Sequence, residues 1–115
     1  MENCIFCMVA DHSLDARVIY EDDTVIAFDD ITPQAPIHTL IVPKEHYGHM
    51  GDGVPADVLC ALFAAVPGVA AAKGIAESGY RVIVNNGPDA AQSVHHLHLH
   101  VLGGARMSHG MLHFE

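Results

Sequence analysis

The stretch Gln92-Ser93-Val94-His95-His96-Leu97-His98-Leu99-His100-Val101-Leu102 constrains this chain more than any other. Imidazole and aliphatic side chains alternate from His96 to Val101, which is the period of a strand with one face buried. A strand over Val94–Leu102 puts His96, His98 and His100 on one face, and Leu97, Leu99 and Val101 on the other. At a rise of about 3.3 Å per residue the histidine row spans about 13 Å, better suited to an extended ligand than to a single ion. Histidines two apart are also common zinc ligands, and a His-rich tract can be an adventitious metal binder or a purification tag. A tag is contiguous, terminal and free of leucine, and this tract is none of these. A row of neutral imidazoles just after the hydroxyl of Ser93 points to attack on phosphorus.

The remaining pattern supplies a sheet for that strand. Val18-Ile19-Tyr20 and Val25-Ile26-Ala27-Phe28 flank the polar Glu21-Asp22-Asp23 and read as a hairpin. Asp29-Asp30-Ile31-Thr32-Pro33 is a loop, and His38–Val42 is a strand stopped by Pro43. After a loop over His46–Gly53, residues 55–76 carry Val58, Leu59, Leu62, Phe63, Val66 and Val69 at spacings of three and four. That is a main helix, with a kink expected where Pro67 lacks its amide proton. Tyr80–Val84 is a further strand and Asn85–Asp89 a turn. Most strands follow one another without helices, so the expected fold is α+β: an antiparallel sheet covered by one main helix.

With 115 residues the chain suits one domain, which a dimer would help to stabilise. No apolar stretch is long enough to span a bilayer and no basic-then-apolar leader is visible, so a cytoplasmic protein without a membrane partner is expected. The net charge of −9 comes from 14 acidic and 5 basic residues, and the basic ones do not cluster. That excludes the basic footprint of a nucleic-acid partner. Any phosphate must be held by neutral donors and imidazoles. Cys60, between Leu59 and Leu62, reads as a small buried core residue.

His-Leu-His-Leu-His-Val-Leu fits the pattern of the histidine triad (HIT) family, and the chain resembles that family over nearly its whole length. Cys-Ile-Phe-Cys, Tyr-Glu-Asp-Asp, Ala-Phe-Asp-Asp-Ile-Thr-Pro-Gln-Ala-Pro, His-Thr-Leu-Ile-Val-Pro-Lys-Glu-His and Gln-Ser-Val-His-His resemble family segments in family order. The chain is most similar to the Hint-like branch, the purine nucleoside phosphoramidases. The resemblance implies one HIT domain over residues 1–115, with an arm at 1–8 and a tail at 103–115, and a homodimer. It implies His98 as the nucleophile forming a nucleotidyl-histidine, its other ring nitrogen donating to the carbonyl of His96. His100 would face a phosphate oxygen, His38 would support the triad, and Ser93 would lie near the leaving group. Asn85 and the backbone at Val94 would contact phosphate, Asp30 the ribose hydroxyls, and Phe28, Ile31 and Leu40 the purine. Read without the resemblance, those three are core residues and Asp30 a turn residue.

Cys4 and Cys7 form a C-x-x-C whose partners are not adjacent in sequence. The resemblance implies a structural Zn²⁺ held with His46 and His96, a closed Cys2His2 set. Two reduced cysteines are the alternative, and His49 is a competing ligand. His12, His95, His109 and His113 are expected on the surface.

Three departures stand out. Ala90-Ala91 replaces a frequent Gly-Gly, His95 a frequent aromatic residue, and the tail lacks the family's Trp-Pro-Pro-Gly ending. The leading expectation is hydrolysis of purine nucleoside 5′-phosphoramidates. Diadenosine polyphosphate hydrolysis, a non-enzymatic nucleotide-binding or interaction module, and a zinc-storage or metallo-hydrolase role are the alternatives.

Overall fold

The computed structural model of the chain describes residues 3–110 and 112–115. Residues 1–2 of the expected arm and residue 111 of the expected tail lie outside the described residues. Five strands form one antiparallel sheet: β1 (Val18–Glu21), β2 (Val25–Asp29), β3 (Ile37–Pro43), β4 (Tyr80–Ile83) and β5 (Leu99–Gly103), in the order β1-β2-β3-β5-β4. The hairpin falls where expected. The Asp22 carboxylate accepts from the backbone N–H groups of Thr24 and Val25 at 2.8 and 2.9 Å, closing the turn between β1 and β2.

The histidine strand is shorter than its alternation implies. Ladder pairing begins only at Leu99 and runs to Gly103. Upstream, the backbone turns too sharply for a ladder, with His96 N–H donating to Val94 O at 2.8 Å and Leu97 N–H to Tyr47 O at 2.7 Å. The alternation of faces survives, because buried apolar surface lies on one side only. Leu97, Leu99 and Val101 enter the core with Val25, Ala27 and Ile41. His96 and His98 are buried on the opposite side.

The main helix is broken as the proline requires. α2 (Ala56–Ala64) and α3 (Val66–Ala72) meet at Ala65, two residues before Pro67. It also stops earlier than residue 76. Gly74, at φ 75°, closes α3, with its N–H on Ala71 O and that of Ile75 on Ala70 O. Val58, Leu62, Val66, Val69 and Ala70 cover one face of the sheet. Cys60 corrects the sequence expectation, for it is exposed. It lies two residues from both Val58 and Leu62, roughly opposite the buried stripe of a 3.6-residue period.

The arm contains a helix that the sequence analysis did not read. Residues Ile5–Ala10 form a further helix, α1, whose N-terminus is capped by the Cys4 sulfur accepting from Cys7 N–H at 3.4 Å. Phe6, Val9 and Ala10 share one side of α1 and pack with Ile26, Phe28, Leu40 and Val42 on the sheet face opposite α2 and α3. The sheet is therefore covered on both faces, on one by α2 and α3 and on the other by α1.

Ala91 lies in the left-handed region (φ 58°, ψ 41°) after a short 3-10 turn at Pro88–Ala90. Its methyl group makes that conformation costly, which glycine avoids. Ala91→Gly is expected to stabilise the fold by about 0.5–1 kcal/mol, the relief of strain exceeding the added unfolded-chain entropy. Urea denaturation of the two proteins measures it, and an unchanged or lower midpoint would contradict the strain.

Candidate active site and metal corner

The register of β3 against β5 builds the site. Leu40 faces His100 and His38 faces Leu102, so His38 and His100 are diagonal neighbours on one face. Their rings lie 5.1 Å apart, and those of His98 and His100 4.9 Å. Phe6 of α1 packs edge-on against His98 at 5.0 Å and against His96 at 5.9 Å.

Hydrogen-bond partners determine the tautomer of each ring. His98 Nδ1 lies 2.6 Å from the His96 carbonyl, an acceptor only, so Nδ1 carries the proton and donates. The lone pair of His98 is left on Nε2. The Gln34 N–H donates to His38 Nδ1 at 3.0 Å, so the proton of neutral His38 sits on Nε2. From there it is donated to His100 Nδ1, 2.8 Å away. His100 in turn carries its proton on Nε2, a buried atom without a hydrogen-bond partner among the described residues. One imidazole thus presents a lone pair and its neighbour an unspent N–H.

The same rings are held neutral. Burial lowers the pKa values of His38 and His98, and it takes His100 down to about 4, with His98 and His38 adding to the effect.

A cavity of about 410 Å³ opens over His98 and His100, a volume in the range of small-molecule sites. His98, His100, Ser93 and Val94 form one end. Phe28, Leu40, Phe6 and Val9 form the apolar wall, and Ile31, 95 % exposed, stands at the rim. Asp30 also lines it. Its Oδ1 is engaged by Thr32 N–H at 2.9 Å and Thr32 Oγ1 at 3.2 Å, and its Oδ2 lies 3.5 Å from His38 Nε2. Behind it, Asp29 points to the other face and takes Lys73 Nζ at 2.9 Å and Thr39 Oγ1 at 2.9 Å, anchoring the end of β2. The structure thus brings together every expected nucleotide-binding residue except Asn85, a half-buried residue just past β4 that is not part of the cavity wall.

Sequence reasoning missed the contribution of α1 and the segment after it. Ile5, Phe6, Val9, Leu14 and Asp15 all line the cavity. Phe6, Val9 and Ala10, at spacings of three and four, were the available signal. Gln92 was missed as well. Its amide spans the carbonyls of Gly48 and Val94 (2.6 and 3.0 Å) and the N–H of Gly87 (2.9 Å), tying three loops behind Ser93. The Gln34 N–H gives no signal, because any residue but proline supplies it.

The second cluster is Cys4, Cys7, His46 and His96, whose sulfur and ring nitrogen atoms all lie within 4.8 Å of one another. His96 Nε2 donates to the Pro43 carbonyl at 2.9 Å, which leaves Nδ1 as the free lone pair. That Nδ1 is 3.2 Å from Cys4 Sγ and 3.5 Å from Cys7 Sγ, and His46 Nδ1 is 3.3 Å from Cys7 Sγ. Ligands around tetrahedral zinc are separated by roughly 3.3–3.8 Å, as bond lengths of 2.0–2.3 Å require. The residues fit that ion. The carbonyl behind His96 is the usual outer partner of a ligating imidazole. Burial, with the neighbouring Cys4, pushes the Cys7 thiol up to about 11, and burial lowers His96 to about 4. His49 is excluded as a ligand because its Nδ1 accepts from Gly51 N–H. His12, His95, His109 and His113 are exposed, as expected.

A histidine row that puts His98 and His100 under a small-molecule cleft and turns His96 into a Cys2His2 corner beside it defines a histidine triad protein with an N-terminal C-x-x-C. The HIT domain matches residues 12–107, and the chain belongs to that family. It is 40 % identical over 108 residues to the 14 kDa zinc-binding protein of Brassica juncea, covering 90 % of this chain and 95 % of that one. Against the adenylylsulfatase HINT1 of Arabidopsis thaliana it is also 40 % identical over 108 residues, covering 90 % of this chain and 73 % of that protein. A HIT family hydrolase from Clostridium thermocellum superposes with a TM-score of 0.93 at 44 % identity, covering 97 % and 99 % of the two chains. No helix among the described residues is long and apolar enough to cross a membrane.

The depressed histidines give stability a sign with pH. The native state holds His38, His98 and His100 neutral, while the unfolded chain protonates them near pH 6.5. Their contribution is present above pH 6.5 and is lost as pH falls from 6.5 through about 4. Urea unfolding at pH 7.5, 6, 5 and 4 is expected to show that progressive loss. A flat profile across that window would contradict neutral burial.

Proposed function

We propose that this protein hydrolyses purine nucleoside 5′-phosphoramidates through a nucleotidyl-histidine at His98. The observation that carries the reading is the His98–His96 hydrogen bond, which puts the lone pair of a neutral imidazole on Nε2 beside the cavity. Nε2 attacks phosphorus, forming the N–P bond as the P–N bond to the leaving amine breaks. His100 Nε2–H donates to a phosphate oxygen and stabilises its growing charge. The Ser93 hydroxyl, at the cavity's end, holds or relays the proton that the departing nitrogen takes up. Water then attacks the same phosphorus, and His98 leaves with its lone pair restored.

The nucleoside side follows from the same wall. Asp30 Oδ2 accepts the ribose hydroxyls, and Phe28, Leu40 and Ile31 enclose the purine. The backbone at Val94 is assigned to the phosphate, whereas Asn85, outside the cavity wall, is given no role in it. No Lys or Arg lines the cavity, which favours a singly charged linkage over a polyphosphate. The adenylylsulfatase of Arabidopsis thaliana, as a relative, supports a reaction at an adenylyl group.

Zinc at Cys4, Cys7, His46 and His96 is assigned a structural role: bound there, it supplies charge and four fixed bonds, and takes no part in the chemistry. The zinc-binding relative from Brassica juncea supports it. A homodimer is proposed as well, using the free edge of β4 and the outward side of α2, where Phe63 is 45 % exposed. We place the single HIT domain in the cytoplasm.

His98→Ala is expected to lower kcat for adenosine 5′-phosphoramidate on the order of 10⁴-fold or more while leaving nucleotide binding measurable. Mass spectrometry of acid-quenched wild-type protein should map an adenylyl adduct to His98. An adduct on another residue, or turnover by His98→Ala at the wild-type rate, contradicts the assignment. Chelation is expected to increase hydrogen exchange in α1 before it reduces turnover, whereas a catalytic metal would reverse that order.

A further inference from the structure

We propose that a second cavity, where β4 begins and β5 ends, binds the phosphate group of a small organic phosphate monoester. The site stands apart from the nucleotidyl-transfer reading and shares no lining residue with the cavity over His98 and His100. Tyr80 pairs with Gly103 at this end of the sheet, and the chain turns away on both sides of that pair. It enters β4 through Gly79 at φ 108° and leaves β5 through Gly104 at φ 92°, conformations that glycine adopts without steric cost. A side chain on Gly79 would meet nothing within 4 Å, because the turn faces open space. Between these turns and the end of α3 lies a cavity of about 780 Å³.

Charge carries the proposal. The chain has 5 basic residues against 14 acidic ones. Arg17 and Lys73 pair with Asp29, and Lys44 with Glu21. Arg81 and Arg106, distant in sequence, form no ion pair among the described residues, and both line this cavity. No Asp or Glu lines it. Two guanidinium groups facing one space without a carboxylate leave a local positive field in an acidic protein, which an anion neutralises. Arg81 is half-buried and donates to the Ser108 carbonyl at 3.1 Å, which holds the side chain and leaves its other N–H groups for a ligand. Each guanidinium fork matches two oxygens of a phosphate. Ser78 and Tyr80 add neutral hydroxyl donors to the lining. The volume lies in the range of small-molecule sites and exceeds what a phosphate group fills, and Ile75 and Met107 offer apolar wall to the rest of an ester.

The free edge of β4 borders the cavity, so the test uses the whole protein in the oligomeric state it adopts in solution. Its amide NMR spectrum is followed as glycerol 3-phosphate is added at constant ionic strength. Saturable shifts are expected at residues 78–81 and 104–107, with a Kd on the order of 1 mM. Arg81→Gln and Arg106→Gln should each weaken binding by about tenfold or more, and Arg106→Lys by less, since it keeps the charge and loses only the fork. Arg81 also holds Ser108, so the exposed Arg106 gives the decisive variant, whose spectrum away from the cavity should match wild type. Inorganic phosphate is expected to bind about fivefold more weakly, and equal affinity would overturn the ester in favour of free phosphate. The site itself is overturned if the shifts fall only at Leu97–His100, if chloride at the same ionic strength reproduces them, if Arg106→Gln binds as wild type does, or if no shift saturates.

Discussion

One hydrogen bond, from His98 Nδ1 to the carbonyl of His96, organises both halves of the site. It decides which nitrogen of His98 keeps a lone pair, which is the difference between a nucleophile and a hydrogen-bond donor. It also fixes the backbone of His96, whose side chain turns into the Cys4 and Cys7 corner while its Nε2 is bound to Pro43. The Cys2His2 corner and the His98 ring are thus two ends of a three-residue segment. Strain or looseness at one end reaches the other through a single peptide carbonyl.

The rest of the sheet serves this arrangement by separating its faces. Leu97, Leu99 and Val101 bury against α2 and α3, which makes that side of the sheet a stiff base. The opposite face is covered only in part, by α1, and the uncovered part is the cavity lined by His98 and His100. Burial of His38, His98 and His100 outweighs the opposing pull of the Asp30 carboxylate and keeps them neutral, so burial serves fold and chemistry together. The cost is acid sensitivity, since protonating any of them places charge in a site that cannot solvate it.

Much of this was legible in the residues themselves. The alternation from His96 to Val101 requires one face of histidines and one of aliphatic side chains, and it holds even where the strand ladder does not. The break near Pro67 follows from a missing amide proton. Cys60 was misread because helical spacing of its neighbours Leu59 and Leu62 does not locate the buried stripe, which Val58 and Leu62 define. The arm was misread because six residues of helix are marginal alone, and α1 is held by Phe6, Val9 and Ala10 against the sheet.

By itself the sequence determined which residue types line each face of the histidine segment, where the chain must turn, and which donors were available for a metal. Tertiary structure decided how they meet. It brought Cys4 within 3.2 Å of His96 across 92 residues of chain, and it aligned Gln34, His38 and His100 so that each ring carries its proton on one particular nitrogen. The physical reason is that periodicity is a local property of the chain. Tautomers and ligand sets depend on distances set by strand register and packing, which no local pattern encodes.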